Sequence, residues 1–376
     1  MTRKVLVLGA GKIGRKITDY LQFCGDYIIT VADNSQAALD SLRRANCVPG
    51  PRVTTKLVHD EGEIMGLVNG HDAVISALYW EVNPSVAQAC LTYGASYFDL
   101  TEDVRSTERI TEMVYAYGVE NLRAGQVIMP QCGLAPGFVS IVAGSLAERL
   151  HDIQSIHLRV GALPCYPEGR LKYNLTWSTD GLINEYLNPC NAIIDGEYVK
   201  VQPLEGVEYF SVEGVDYEAF NTSGGLGSLC ETVGRHCKNV NYKTLRYPGH
   251  RDLMQFLLKE CGFDRDRQGM KALLERSLPQ TDSDVVVIFC SATGFIAGQL
   301  MTLTDVRHIY GTPGNEDRNI PAWSAIQITT AASVCAVMDM HFAGQIGNEL
   351  TGLINQEEID LSDFLSNRFG KAYAKT

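Results

Sequence analysis

The chain has 376 residues, of which 45% are hydrophobic and 20% charged, so it is long enough for two domains with their own cores and has the make-up of an ordinary globular protein. Its formal charge of −12 disfavours nucleic acid, because no basic stripe is available to displace counterions from phosphates. No run of eighteen apolar residues exists, so no membrane span is expected, and the N-terminus does not have the shape of a signal peptide.

The chain opens on Val5-Leu6-Val7-Leu8, a buried strand, followed by Gly9, Gly11 and Gly14 in the pattern G-x-G-x-x-G and then by Ile17, Tyr20 and Leu21 at helical spacing. Gly9 permits the tight turn, Gly11 lets the backbone approach a pyrophosphate, and Gly14 lets the helix pack on the strand. The phosphates sit where free N–H groups and the helix dipole attract anions, beside Lys12 and Ile13. A second strand, Tyr27–Ala32, ends on Asp33, about twenty residues on, where this pattern expects an acid for the ribose hydroxyls. A carboxylate there repels a 2′-phosphate, and neither Asn34 nor Ser35 supplies a positive charge, so NAD is expected over NADP. Arg43 and Arg44 are expected on a solvated face about three helical turns away.

Strand and helix then alternate. An amphipathic stretch spans Gln36–Arg44, a strand lies near Arg52–Val58 and a short helix near Glu61–Val68. Ala73–Leu78 is a buried strand, Pro84–Thr92 a helix, Ser96–Leu100 a strand, Thr107–Gly118 a helix and Gln126–Pro130 a strand. Such alternation means an α/β fold with a doubly wound parallel sheet of Rossmann type. Ligands bind outside the carboxyl ends of its strands, which selects the loops Gly9–Gly14, Leu78–Asn83, Asp99–Asp103 and Gln131–Gly137. Ala77 and Leu78, with Leu100 and Thr101, are placed against the cofactor by that rule.

A boundary falls in Gly133–Gly137, with Pro136 in the first turn of a helix carried on by Phe138, Ile141, Val142 and Leu146. Beyond it long strands are expected at Ser155–Leu163, Leu171–Thr179, Glu208–Val212, Tyr217–Thr222, Asn241–Tyr247, Asp284–Ser291 and Leu300–His308. Helices are expected at Gly181–Leu187, Gly227–His236, His250–Cys261 and Gly269–Ser277. This is an α+β domain on one antiparallel or mixed sheet. Pro321 opens Trp323–Met340, apolar nearly all round and therefore buried against the N-terminal domain or a partner subunit. The tail Leu361–Tyr373 is expected at the surface. The domains are thus residues 1–134, a dinucleotide-binding domain, 135–320, an α+β domain inserted in the chain, and 321–376, a returning C-terminal helix and tail.

Eleven cysteines without a C-x-x-C pair suggest reduced thiols and a cytoplasmic setting. The eight histidines form no metal-binding spacing, His236-Cys237 is an incidental pair, and no metal is expected. Chemistry is expected elsewhere. Asp99, Glu102 and Asp103 cluster at a strand end, where crowding raises carboxylate pKa values and suits a general base or an ammonium site; the alternative is that Glu102 and Asp103 only begin the next helix. Tyr79 and Trp80 either wall the nicotinamide, with Tyr79 bonding substrate, or simply pack. Cys132 is read as a small buried filler. In the second domain Asn174, Trp177, Asp180 and Thr222 lie at polar strand ends. Arg246 is a candidate for a substrate carboxylate, gripping two oxygens with its planar fork, or else a structural salt bridge. His250 is either a helix cap or a proton carrier. As a set, Tyr79, Glu102 and His250 are the catalytic candidates, and Asn174, Trp177, Asp180, Thr222 and Arg246 the substrate-binding ones.

The glycine motif, Phe98–Asp103, Gln131–Gly137, Tyr173–Tyr186, Phe220–Gly225 and Arg246-Tyr247-Pro248-Gly249-His250 together resemble the saccharopine dehydrogenase family over nearly the whole chain. Within it they look most similar to the L-lysine 6-dehydrogenase branch. The resemblance implies NAD-dependent oxidative deamination of the ε-amino group of L-lysine to an aminoadipate semialdehyde, a small amino-acid substrate and a homodimer or higher homo-oligomer. Enzymes acting on saccharopine resemble this chain but read L-D-P-G where it has Leu134-Ala135-Pro136-Gly137, and S-W-S-P-R-G where it has Thr176–Gly181. That pairing puts Asp180 where an Arg would suit a carboxylate, and moves the expected substrate toward a cation.

Overall fold

The computed structural model describes residues 2–45, 53–279, 281, 283–315, 321–346 and 351–374. Arg52, the expected start of the third strand, and the side chains of Arg43 and Arg44 lie outside the described residues. The chain divides into two compact units. The first holds residues 1–138, 315–321 and 327–374, the second residues 139–314 and 322–326 with the last two residues.

In the first unit β1 (Arg3–Leu8), α1 (Lys12–Cys24), β2 (Tyr27–Asp33), α2 (Gln36–Ala45), β3 (Thr54–Leu57), α3 (Glu61–Val68), β4 (Ala73–Ser76), α4 (Asn83–Tyr93), β5 (Ser96–Asp99), α5 (Val104–Tyr117) and β6 (Val127–Met129) alternate without a break. Every strand pairing is parallel. β4, β5 and β6 are buried along their whole length, as strands covered on both faces must be. The order is β6-β5-β4-β1-β2-β3, with a late strand, β15 (Gly352–Leu353), added beside β6. The doubly wound arrangement expected from the alternation is the one observed.

The second unit is built on a mixed eight-stranded sheet. After α6 (Phe138–Ala147) come β7 (His151–Pro164), α7 (Thr179–Leu187), β8 (Cys190–Ile194), β9 (Glu197–Val201), β10 (Glu208–Val212), β11 (Val215–Asn221), β12 (Asn239–Arg246), α8 (His250–Gln255), α9 (Arg267–Ser277), β13 (Asp284–Ile296) and β14 (Gln299–Tyr310). The path runs β10-β11-β12-β7-β13-β14, and β8 leaves it to pair with β12 and β9. Only β12 and β7 run parallel; the other pairings are antiparallel. Tyr173, Leu182, Tyr186, Phe220, Met254 and Leu274 bury together as one core, joining α7, α8 and α9 to β11. Leu163, Val212, Ala219, Leu245 and Val287 form a second cluster.

α10 (Ala325–Phe342) carries the chain back to the first unit, where Asp339 accepts from the Tyr27 hydroxyl (2.5 Å) and His341 meets the Ser96 hydroxyl (3.1 Å). This helix is apolar nearly all round and is buried, as expected. The tail lies at the surface on one side only: Ser362, Asp363, Ser366, Arg368 and Lys371 are exposed, while its aromatics are buried. In α11 (Leu361–Ser366) and the turn after it, Phe364 and Tyr373 are fully buried, and Tyr373 stacks on Phe138 with ring centroids 3.8 Å apart. The Arg368 fork closes on Asp339.

Three other expectations change. Leu171–Thr179 is not a strand: its alternating Leu171, Tyr173, Leu175 and Trp177 pack into the core of the second unit, and Thr179 already begins α7. Gly227–His236 is not an α-helix: a run of short turns, closed by Gly227 N–H to Gly224 O, Leu229 N–H to Leu226 O and Glu231 N–H to Ser228 O, leads into one turn of 3-10 helix at Val233–His236, in keeping with glycines that disfavour an α-helix. Pro136 is not in a helical turn. It follows a cis peptide bond, and α6 begins at Phe138, whose N–H reaches back to Gly133 O (2.9 Å).

Candidate active site

In the first unit the candidate residues lie at the carboxyl ends of β1, β2, β4, β5 and β6. Gly9 has φ +98°, and a Cβ on it would meet Ala77 O at 2.8 Å. A Cβ on Gly14 would meet Gly9 O at 1.9 Å, so only glycine lets α1 start this close to β1. Gly11 differs: a Cβ there would meet nothing within 4 Å. The protein itself does not demand that glycine, whereas a pyrophosphate lying on the backbone does. No side chain caps α1 and no acid lies in its first turn, so the N–H end at Lys12, Ile13 and Gly14 faces an anion without competition.

Asp33 ends β2 half-buried. Its Oδ2 accepts from Ala10 N–H (2.6 Å) and its Oδ1 from Ser35 N–H (2.7 Å). These bonds tie the glycine loop to β2 and leave each oxygen a further lone pair for a ribose hydroxyl. The donors and glycines therefore fit a dinucleotide. Ala77 bridges back to Leu8 O through its N–H (2.8 Å), which puts Ala77 and Leu78 beside the loop.

Asp99 is fully buried and joins two loops. Its Oδ1 accepts from Thr101 N–H (3.0 Å) and Gln131 N–H (2.8 Å), and its Oδ2 from the Tyr97 hydroxyl (2.7 Å). Burial raises its carboxyl to about 6 against the pull of these donors. The crowding expected among Asp99, Glu102 and Asp103 is not the cause: no neighbouring acid contributes. Asp103 instead caps α5, accepting from Ser106 N–H (2.8 Å). Glu102, with Leu100 and Thr101, is held between that cap and the Asp99 knot and is half-buried. Gln131 sits in the left-handed region at φ 64°, pinned by Asp99. Cys132 donates to Met129 O (3.0 Å), is fully buried and has its thiol pushed well up by burial, consistent with a filler. Tyr79 is half exposed, 5.0 Å from the Trp80 ring centroid.

In the second unit, a separate group of polar side chains includes Arg246 at the end of β12. Arg246 is 3% exposed. Its Nε donates to the Tyr186 hydroxyl (2.9 Å), and its NH1 to Thr244 Oγ1 (2.8 Å) and Leu245 O (2.8 Å). The guanidinium lies 4.8 Å from the Tyr173 ring centroid. Burial opposes its charge, and Tyr186, Tyr173 and Glu185 offset that, so it stays protonated. Both edges of the fork are thus occupied. The tip, NH2, makes no hydrogen bond among the described residues, and its nearest carboxylate oxygen, Glu185 Oε2, is 3.8 Å away. With Nε and NH1 bonded within the protein and NH2 in an ion pair with Glu185, the fork is not open for a two-oxygen grip, and the structural salt bridge is the part of the expectation that is observed.

In the same unit the Tyr173 and Thr222 hydroxyls, Asn174 Oδ1 and Thr176 Oγ1 are buried with no hydrogen-bond partner among the described residues. The Thr176 and Trp177 side chains lie near enough to the Tyr173 hydroxyl to draw its pKa down against burial, though not at bonding geometry. The β11–β12 register, Glu218 opposite Arg246 and Phe220 opposite Thr244, carries Thr222 on the same sheet face as Arg246. Each such orphan costs roughly 1–3 kcal/mol. Hydroxyl donors, an amide oxygen and a guanidinium tip together complement a carboxylate with a neighbouring ammonium.

Two site expectations change here. His250 is not a proton carrier open to a ligand: it is 1% exposed, its Nδ1 lies 2.9 Å from Leu171 O and its Nε2 3.0 Å from the Tyr186 hydroxyl. Burial, then Arg246, lowers its pKa to about 3, so it is neutral. Asp180 is not an unbalanced anion. It lies in the first turn of α7 and pairs with Lys271 of α9 at 2.5 Å. Trp177 lies against Gly181 of α7, where a Cβ would meet its ring at 2.3 Å. Sequence reasoning missed Tyr186 and Asp99 as organising groups. The carboxylate donor set of Asp99 has a sequence signal, a buried acid ending a strand, but Tyr186 has none.

Among the described residues no group of three or more His, Cys, Asp or Glu is placed to hold a metal ion, and no helix is long and apolar enough to cross a membrane.

The sequence profile of the saccharopine dehydrogenase NADP-binding domain matches residues 5–129, and that of the saccharopine dehydrogenase C-terminal domain matches residues 133–371. The mitochondrial alpha-aminoadipic semialdehyde synthase of Bos taurus is 28% identical over 279 residues, 70% of this chain and 29% of that protein. That of Rattus norvegicus is 26% identical over 227 residues, 57% of this chain and 23% of that protein. The match thus spans less than a third of these curated relatives. The saccharopine dehydrogenase (L-Glu forming) of Saccharomyces cerevisiae shares the fold, with a TM-score of 0.76 at 18% identity over 97% of each chain. With both domain profiles matched, and with glycines and an acid that fit a nicotinamide dinucleotide, the chain belongs to the saccharopine dehydrogenase family of oxidoreductases.

Proposed function

We propose that the chain is an NAD-dependent dehydrogenase that oxidises the ε-carbon of L-lysine. The observation that carries the amino-acid part is the buried Arg246 against the Tyr173 ring, with unpartnered Tyr173, Asn174, Thr176 and Thr222 groups in the same unit. They match the head group of an α-amino acid: NH2 of Arg246 takes one carboxylate oxygen, hydroxyls donate to the other, and Asn174 Oδ1 accepts from the ammonium. The semialdehyde in the names of the relatives is the product that ε-oxidation of lysine yields. NAD is favoured because Asp33, already held by Ala10 and Ser35, sets a carboxylate where a 2′-phosphate would have to lie.

In this reading Glu102 takes a proton from the ε-ammonium and Tyr79 hydrogen-bonds the amine. When bound, the cofactor accepts the hydride from the ε-carbon. The two electrons of that C–H bond leave with the hydride, the amine nitrogen forms the imine, and one proton is released. Water then gives the semialdehyde and ammonia. His250 holds Tyr186 and touches no substrate.

Saccharopine is the second reading. It is favoured by the Asp180–Lys271 pair, which cancels the negative charge that sets lysine apart from a tricarboxylate. Arg246→Lys is the test for the head-group site. The KM for the amino acid should rise at least tenfold, with NAD affinity unchanged; an unchanged KM contradicts it.

A further inference from the structure

We infer that His250 and Tyr186 are positioning residues, a one-way hydrogen-bond relay that sets the plane of Arg246 and so presents its NH2 tip to the substrate carboxylate; this rests on the reading that Arg246 takes that carboxylate.

The direction of every bond in the relay is forced. Leu171 O only accepts, so His250 Nδ1 carries the hydrogen across 2.9 Å. Arg246 Nε only donates, so the Tyr186 oxygen accepts across 2.9 Å. Because burial keeps the imidazole neutral, Nε2 carries no hydrogen, and the single Tyr186 hydrogen goes to it across 3.0 Å. The imidazole is locked as one neutral tautomer, and burial keeps it neutral. Glu218 holds the turn that delivers His250: its Oε2 accepts from Gly249 N–H (2.8 Å) and its Oε1 from Arg251 N–H (2.6 Å).

The relay also connects the two sides of the head-group site. Leu171 begins the segment that carries Tyr173, Asn174 and Thr176, and Lys172 Nζ ties that segment to Pro248 O (3.1 Å). Tyr186 lies on α7, next to Glu185, and its ring stands 5.9 Å from Phe220 of β11. Three of the five N–H groups of Arg246 are spent on Tyr186, Thr244 and Leu245, and the remaining two are on NH2. Without Tyr186 the Nε side of the guanidinium is unheld, its plane is restrained only through the NH1 bonds to Thr244 and Leu245, and NH2 loses part of its fixed direction.

The test compares L-lysine with 1,5-diaminopentane, the same amine without the carboxylate, in wild type, Tyr186→Phe and His250→Leu. Tyr186→Phe keeps the ring and removes the hydrogen bonds. We expect KM for lysine to rise roughly tenfold in both variants, the loss of a charge-assisted hydrogen bond, with kcat within about twofold. Diaminopentane kinetics and NAD affinity should be unchanged, and His250→Gln, which can both donate and accept, should recover part of the loss. An equal loss with both amines means a merely structural role and overturns the relay. A wild type indifferent to the carboxylate overturns the Arg246 reading instead. The imidazole offers a separate measurement that needs no turnover: nitrogen NMR at neutral pH should show His250 protonated on Nδ1 alone, with the Nε2 signal shifted in Tyr186→Phe as its hydrogen bond is lost. A wild-type ring protonated on Nε2 overturns the relay whatever the substrate.

Discussion

At the scale of single residues, two buried or half-buried carboxylates do most to shape the dinucleotide side. Asp33 spends one lone pair on each of Ala10 and Ser35 and offers what remains to the ribose. Asp33→Ala should weaken NAD binding roughly ten- to a hundredfold, since hydrogen bonds to a charged group are lost, and should weaken NADP binding far less. Fluorescence titration of both cofactors checks this, and tighter binding of NADP than NAD by wild type contradicts it. Asp99 makes a different prediction. Burial lifts its carboxyl from 3.8 to about 6, so the folded chain holds that proton more tightly than the unfolded one. Its contribution to stability is therefore fullest below pH ~4, falls between pH ~4 and ~6 and is level above, by on the order of 3 kcal/mol in all. Asp99→Asn can still accept from Thr101 and Gln131 but cannot ionise. The stability of the variant relative to wild type should rise by that amount between pH 4 and 7 in denaturant titrations, and a difference independent of pH would count against the buried charge. Gly9, Gly14 and Asp33 were legible in the sequence because a backbone turn and a ribose partner demand particular residue types at fixed spacing. The state of His250 was not legible, because it depends on Tyr186, 64 residues away, and on Leu171, 79 residues away.

At the scale of elements, α7 and α9 test how far charge at one position can be read as specificity. The resemblance to saccharopine enzymes pairs Asp180 with an Arg, and that suggested a cation site. In the fold the carboxylate meets Lys271, and both groups are partly exposed. Asp180→Asn and Lys271→Met should each cost less than about 1 kcal/mol of stability, as exposed pairs do, and leave the KM for lysine within about twofold. A large rise in KM with Asp180→Asn, opposed by a fall with Lys271→Met, would return Asp180 to the substrate. The elements misread from sequence share a cause. Leu171–Thr179 alternates like a strand, but the period reports only that one side is buried, and no neighbouring strand pairs with it. The β8–β9 hairpin was missed although Asp195-Gly196 at its tip, with φ of 53° and 86°, is the turn such hairpins favour. The aromatics of the tail, Phe364, Phe369 and Tyr373, have no regular spacing, so their burial left no periodic trace.

At the scale of the molecule, alternation of strand and helix made the parallel sheet of the first unit legible, and the polar strand ends pointed to Arg246, Asn174 and Thr222 in the second. The first unit carries glycines and Asp33 that fit a dinucleotide, with the Asp99 knot beside them; the amino-acid head-group site proposed above rests on Arg246 in the second unit. What separates the two readings of the substrate is the fate of nitrogen. Deamination of lysine frees its ε-nitrogen as ammonia, whereas oxidation of saccharopine cleaves a secondary amine and leaves that nitrogen in an amino acid. The direct measurement is the ratio of ammonia to NADH formed when the purified protein is given NAD and, in separate reactions, L-lysine or saccharopine. One ammonia per NADH with lysine, and little NADH with saccharopine, is the predicted result; rapid NADH formation from saccharopine without ammonia, and none from lysine, would contradict it.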